Sequence, residues 1–263
     1  MSKSETPIKR IVVTNDKGGA SKSTSAFHLF LSYFLSKNIN AILLEFDDEN
    51  KDSSVFTETK MKTEQIEIGD AADINNIVRA VFKEKINQIF DIGGNRTTTL
   101  FLNAIKATRM YKKVDLYAIP VSGGGQDVKN AEKIYKIIKD FDSSAKIIFV
   151  LSRVRNPVRI KNQYSKFFEN KILNKEDYIV LKDSDVIDLS RDMKKSAYEL
   201  AHDKDVKKAL EKSLDEALDK CDDDLVDTYS MMLEVYDESE DFLKDTLIPA
   251  FEKIDIHLNN NKK

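Results

Sequence analysis

Short apolar runs alternate with longer segments of helical period along most of this chain, and that alternation restricts the fold more than any other feature. The runs RIVVTN (10–15), NAILLEFD (40–47), INQIFDIGG (86–94), VDLYAIPVS (114–122) and AKIIFVLSR (145–153) are short and rich in β-branched residues. DYIVLKDS (177–184) is a possible short sixth. Between them lie helical patterns. In residues 22–37, Ala26, Phe27, Phe30, Leu31, Phe34 and Leu35 recur at spacings of three and four, as on one helical face. Further helices are expected over 73–85, 97–111 and from the triple glycine Gly123–Gly125 to Phe141. Strands alternating with helices imply βαβ units and a mostly parallel sheet flanked by helices, an α/β fold. Strands as continuously apolar as KIIFVL fit burial on both faces. From about residue 190 onward no strong strand appears, so 191–263 is expected to be a helical C-terminal extension packed on the core.

The first run leads into NDKGGASKST, residues 15–24. A strand, then a Gly-bearing loop, then a helix start is what a phosphate-binding loop requires, because backbone N–H groups and the helix N-terminus converge on an anion. The strict pattern for such a loop is G-x-x-x-x-G-K-[ST]. Asp16 and Ser21 occupy both glycine positions of that pattern. Gly18 and Gly19 still let phosphate approach the backbone. Lys22 would reach the β- and γ-phosphates, the Ser23 hydroxyl would bind Mg²⁺, and Thr24 would donate to the α-phosphate. The competing reading is an ordinary connection with Ser/Thr capping.

Composition removes several other classes. Basic and acidic side chains number 42 and 45, a net charge of −3 that excludes a globally basic nucleic-acid binder but not a local basic patch. One cysteine, Cys221, cannot build a disulfide framework or a thiolate metal site. No apolar run approaches the roughly 18–20 residues of a membrane-spanning helix. The N-terminus does not read as a signal peptide, and a cytoplasmic protein is expected.

The segment Lys17–Ser23, KGGASKS, resembles the deviant Walker A motif K-G-G-x-x-K-[ST] of the ParA/MinD family of ATPases. The resemblance implies a P-loop NTPase-like domain over residues 1–190, with ATP and Mg²⁺ as ligands. It assigns the loop Lys17, Gly18, Gly19, Ala20, Ser21, Lys22, Ser23 and Thr24 to nucleotide binding. Lys17 becomes the signature lysine, which reaches the partner's phosphates across an ATP-dependent homodimer. Family members usually carry glycine where this chain has Ser21. AILLEFDDEN resembles the segment in which Asp47 orients the attacking water and touches the metal shell through water; Asp48-Glu49 replaces the family's Pro-Gln, which leaves Asp48 as the alternative to Asp47. INQIFDIGG resembles the Walker B and switch II segment, with Asp91 holding a water of the Mg²⁺ shell and Gly93 or Gly94 offering an N–H to the γ-phosphate. At the base, Ser152 occupies the position where the family usually has a base-contacting asparagine, and Ser152 and Arg153, the latter able to stack on the base, are assigned to nucleotide binding.

Lys17, Lys22 and Asp47 are thus the catalytic candidates. By resemblance the chain is a partition ATPase of plasmids or chromosomes. It would bind DNA nonspecifically when ATP-bound, associate with the nucleoid, and hydrolyse slowly on stimulation by a centromere-bound adaptor. Arg153, Arg155, Arg159, Lys161 and Lys166 form the candidate DNA patch. One alternative is a positioning or conjugation adaptor without DNA binding. Another is a nucleotide-binding interaction protein with weak turnover. A membrane role is disfavoured, because the tail FLKDTLIPAFEKIDIHL contains Pro249 and interspersed acids, and an acidic stretch precedes it.

Overall fold

A computed structural model describes residues 7–46, 56–68 and 71–259. Seven strands form one sheet: β1 (Arg10–Val13), β2 (Ala41–Phe46), β3 (Lys62–Gln65), β4 (Asn87–Ile92), β5 (Leu116–Val121), β6 (Ile147–Val154) and β7 (Tyr178–Lys182). Their order is β3-β2-β4-β1-β5-β6-β7 and every pairing is parallel. The chain therefore has the α/β class expected of it. From β1 the chain winds to one edge through β2 and β3, and later to the other through β5, β6 and β7. The carboxyl end of β1 thus lies where the winding reverses, the usual ligand crevice of an open α/β sheet.

The helices are α1 (residues 22–36), α2 (Ala71–Val81), α3 (Asn95–Ala107), α4 (Gly125–Phe141), α5 (Val186–Asp192), α6 (Ala197–Leu200), α7 (Lys204–Asp219), α8 (Asp223–Phe242) and α9 (Ile248–Asn259). Alternate strand residues face two cores. Val12, Phe90, Tyr117, Ile119 and Phe149 pack with α2, α3 and α4. Ile11, Val13, Leu43, Ile89 and Val150 pack with α1, and with Phe242, Leu247, Phe251, Ile254 and Leu258 of the C-terminal helices. Full burial of each such side chain contributes about 1.5–3 kcal/mol. Most apolar residues of the tail therefore face the sheet, while Ile248 and Ile256 are exposed. No helix among the described residues is long and apolar enough to cross a membrane.

Pro249 does not break this tail. It is the second residue of α9 and lies just after a π-turn within one continuous helical run, a local widening that accommodates its missing N–H. That π-turn, over Leu243–Leu247, joins α8 to α9 and absorbs the local irregularity. Lys9 and Lys146, at the amino ends of strands, donate to the Leu258 and His257 carbonyls, each at 2.7 Å, and so cap the end of α9.

Three expectations need correction, the first being the helix expected over 97–111, which runs Asn95–Ala107. A seventh strand, β3, lies at the sheet edge, paired with β2. Its sequence KTEQ has no apolar residue, so no hydrophobic alternation marks it. The helix expected over 73–85 ends at Val81. Arg10 Nη2 donates to the Phe82 and Glu84 carbonyls, and Gln88 Nε2 to the Val81 carbonyl, which satisfies the helix end from distant strands.

Candidate functional site

β1 stops at Val13, and the chain is then tied over the end of β5. Thr14 N–H donates to the Ala118 carbonyl at 3.0 Å, and Asn15 Nδ2 to the Pro120 carbonyl at 2.6 Å. Asn15 Oδ1 accepts from the Lys17 N–H at 3.3 Å. Two left-handed residues curl the loop that follows, Gly19 (φ +72°) and Ser21 (φ +61°). Ser21 immediately precedes α1, and its carbonyl accepts from Ser25 N and Oγ at 3.0 and 2.7 Å. A serine in this conformation is strained where glycine is not. Ser21→Gly is therefore expected to raise stability by up to ~1 kcal/mol, read as a shifted denaturant midpoint. A lower midpoint would mean that the Ser21 side chain holds the loop.

Lys22 is buried, and its Nζ donates to the Lys17 carbonyl at 2.9 Å, closing the loop on itself. Gly18, Gly19, Ser21, Lys22, Ser23 and Thr24 form one wall of a cleft of about 470 Å³. Ala20 is fully buried behind them.

Asp91, Gly93, Gly94 and Asn95 form the facing wall. Parallel register sets Asp91 beside Val13, at the start of the loop, and beside Glu45. Asp91 and Glu45 are both buried. Gly93 N–H is committed to the Phe46 carbonyl at 2.7 Å. Gly94 presses on the loop so closely that a Cβ there would lie 3.2 Å from Gly18 N. Asn95 N–H donates to the Asp16 carbonyl at 3.0 Å. The buried Thr98 hydroxyl lies 2.7 Å from the Gly93 carbonyl, 3.2 Å from the Asn15 carbonyl and 3.2 Å from Thr14 Oγ1. One hydroxyl thus joins the strand before the loop to the segment after β4.

Lys17 points away from Lys22. Its Nζ donates to Asp127 Oδ1 at 2.6 Å, near the start of α4. Lys17 is about half exposed, 46%, whereas the Asp127 side chain is 5% exposed. Ser122 Oγ also donates to Asp127. Burial pushes the Asp127 carboxyl up, but the bonds from Lys17 and Ser122, the Lys17 charge and the Gly124 backbone outweigh it and hold it below the usual range.

The third wall comes from residues that sequence reasoning did not single out. α5 supplies Ile187, Asp188 and Arg191, and α1 supplies Phe27 and His28. Phe56 completes it. Burial first, and the Arg191 charge second, push the His28 pKa down to about 3, so the ring is neutral at ordinary pH. Arg153 lines the cleft, in a left-handed conformation at a bulge in β6. Ser152 does not reach the cleft; it is fully buried and its Oγ donates to the Val121 carbonyl at 3.2 Å. Asp47, Asp48 and Glu49 lie outside the described residues. Arg155 and Arg159 share a neighbouring groove with Arg153. Lys161 is exposed on a short helical turn, and Lys166 pairs with Glu169 at 3.2 Å.

Among the described residues no three His, Cys, Asp or Glu side chains gather as a metal site. The donors at the phosphate-facing end are the Ser23 hydroxyl and the buried Asp91 carboxylate, with Asp188 on another wall. That sparse set suits Mg²⁺, which keeps several waters and takes its other ligands from phosphate oxygens.

No protein-family model matches the sequence, and no curated protein matches it. Solved structures do match the fold. Apo McdA of Cyanothece superposes with a TM-score of 0.53 at 13% identity, over 90% of this chain and 99% of that one. MinD cell division protein of Aquifex aeolicus gives 0.51 at 14%, over 70% and 86%. A putative plasmid partition protein of Borrelia burgdorferi bound to AMPPNP gives 0.51 at 15%, over 70% and 88%. The chain shares the fold of these ParA/MinD-type proteins.

Proposed function

We propose that the chain is an ATPase of the ParA/MinD type, binding ATP with Mg²⁺ and pairing two copies around the nucleotide. One observation carries this: a lysine-bearing loop leaves the central strand, opens a helix and faces a buried aspartate across a cleft of about 470 Å³. Helix N-termini and loop amides bind phosphate in that arrangement. Lys22 would neutralise the β- and γ-phosphates. Ser23 and, through water, Asp91 would hold Mg²⁺, which screens charge on the phosphates. Asp47 is the proposed water-orienting residue. Lys17 would leave Asp127 to reach the partner's nucleotide, a cation supplied in trans. The fold-sharing Borrelia protein was captured with AMPPNP, which supports a nucleotide in this cleft.

For biological role we favour partition of a plasmid or chromosome, with Arg153, Arg155, Arg159, Lys161 and Lys166 touching DNA and a centromere-bound adaptor stimulating turnover. A second reading, a positioning adaptor without DNA binding, is favoured by one feature. Arg155 also borders a groove with Asp183, Asp185, Glu238, Asp241 and Asp245. Behind it α8 carries eight acidic residues and no lysine or arginine. Such a surface repels a polyanion.

Retention on nonspecific duplex DNA, with and without MgATP and across a salt series, separates the two. Partition predicts MgATP-dependent retention that weakens steeply with salt. Retention that ignores MgATP, or none at low salt, removes DNA from the function. Calorimetry with MgATP tests the nucleotide reading itself, and absence of heat would end it.

A further inference from the structure

Residues 56–61 are gripped from two sides. On one side the Phe56 ring stacks on Phe27, with centroids 3.8 Å apart and planes at 24°, and meets His28 edge-on at 5.5 Å. These three rings line the cleft. On the other side stands Glu199 of α6, which is 8% exposed. Its Oε1 accepts from Lys60 N–H at 2.7 Å and Thr59 Oγ1 at 3.2 Å. Its Oε2 accepts from Ser196 N–H at 3.0 Å and Ser196 Oγ at 2.7 Å. The Glu58 N–H adds a bond to the Lys194 carbonyl at 3.1 Å.

A capping box explains only the second oxygen, because the reciprocal bonds between Ser196 and Glu199 close the start of α6. The first oxygen holds a segment 139 residues away, beyond what the helix needs. The same C-terminal stretch also grips His28. Ala197 N–H donates to His28 Nδ1 at 3.4 Å, and Ser190 Oγ lies 3.5 Å from Nε2. Two of the three rings of the aromatic wall are thus tied to residues 190–199, His28 directly and Phe56 through the segment that follows it.

We propose that Glu199 is a positioning residue of the nucleotide cleft: it fixes the Phe56 wall through Lys60 and Thr59, and makes the C-terminal helices part of the binding site. This rests on the nucleotide reading above. Loss of this carboxylate leaves four donors unmet, the buried Ser196 pair and the partly buried Thr59 and Lys60 pair. The helix cap and the wall clamp use different oxygens, so the two roles separate experimentally.

The chain has no tryptophan, so Phe56→Trp places a single emitter in the wall. In that background, without nucleotide, Glu199→Ala is expected to red-shift the emission as the segment loosens. Ser196→Ala removes part of the cap but leaves the Lys60 and Thr59 bonds, and is expected to lower Tm without a red shift. With Phe56 intact, Glu199→Ala is expected to weaken MgATP binding roughly tenfold, the scale of a lost charged hydrogen bond. Thr59→Val removes a clamp donor and leaves the helix cap whole; it serves if the alanine variant does not fold, with a smaller red shift expected. Unchanged emission and affinity in Glu199→Ala, or an equal red shift in Ser196→Ala, overturns the proposal. Failure of the unsubstituted chain to bind MgATP would instead sink the nucleotide reading, and the emission comparison would still judge the clamp.

Discussion

Lys22→Ala is expected to reduce MgATP affinity at least ~100-fold by calorimetry while leaving the fold in place. Each charge-assisted hydrogen bond to phosphate is worth about 1.5–3 kcal/mol, and Lys22 is assigned two phosphates. Removing both bonds corresponds to roughly two to four decades in Kd. The ammonium is already poised, since it sits on the Lys17 carbonyl at the mouth of α1 rather than in bulk solvent. Ligand binding would exchange that carbonyl for phosphate oxygens with little reordering of the side chain. The alanine variant loses the bond to the Lys17 carbonyl in the free protein, so its Tm should also fall. Lys22→Met keeps the apolar stem and should lose affinity equally, which assigns the effect to charge rather than packing. An affinity within threefold of the original would mean that phosphate does not sit at this loop.

Legibility in the sequence followed the range of the interactions. The loop was readable because its chemistry is local: two lysines, two glycines and a Ser-Thr pair within eight residues, after a strand and before a helix. The left-handed Ser21 accounts in physical terms for the glycine that ParA/MinD proteins usually carry at that position. Most strands were readable because burial on both faces leaves continuous apolar runs. β3 was not, because an exposed edge strand of Lys, Thr, Glu and Gln is selected by backbone pairing with β2 and carries no hydrophobic pattern. The end of α2 was misplaced because Arg10, over seventy positions upstream, supplies its last donors.

The third wall of the cleft was hidden for the same reason. Phe27 reads as one more apolar residue on a helical face, and Phe56 as an apolar residue in a polar stretch. Only tertiary contact among Phe27, His28 and Phe56 turns them into a wall. Glu199 itself did carry a local signal, the Ser-x-x-Glu spacing of a capping box. That signal marks a helix start and is silent about the second carboxylate oxygen. The resemblance assigns Ser152 to nucleotide binding, and in the free chain its hydroxyl is bonded to the Val121 carbonyl.

Asp127→Asn is expected to strengthen MgATP-dependent dimerisation, whereas Lys17→Ala is expected to abolish it. In the free chain Lys17 is bound to Asp127, so reaching a partner's phosphates requires that pair to open first. Asparagine keeps an oxygen for the Ser122 hydroxyl but removes the charge that holds the lysine. If the pair opposes closure by about one decade, the dimer Kd measured by light scattering should fall about tenfold. The two variants should also differ in stability. Lys17→Ala strands a buried carboxylate without its cation, whereas Asp127→Asn leaves a half-exposed ammonium that water can solvate. Lys17→Ala should therefore be the less stable of the two, by about 1–3 kcal/mol. The pH dependence has a definite sign. A carboxyl held below its unfolded value of ~3.9 adds stability above that pH. That contribution fades as pH falls through the lower, folded value. The stability gap between the original chain and Asp127→Asn should thus be constant near neutrality and shrink below about pH 4. A dimer weakened by Asp127→Asn would show instead that Asp127 acts within the closed state rather than restraining Lys17 in the open one.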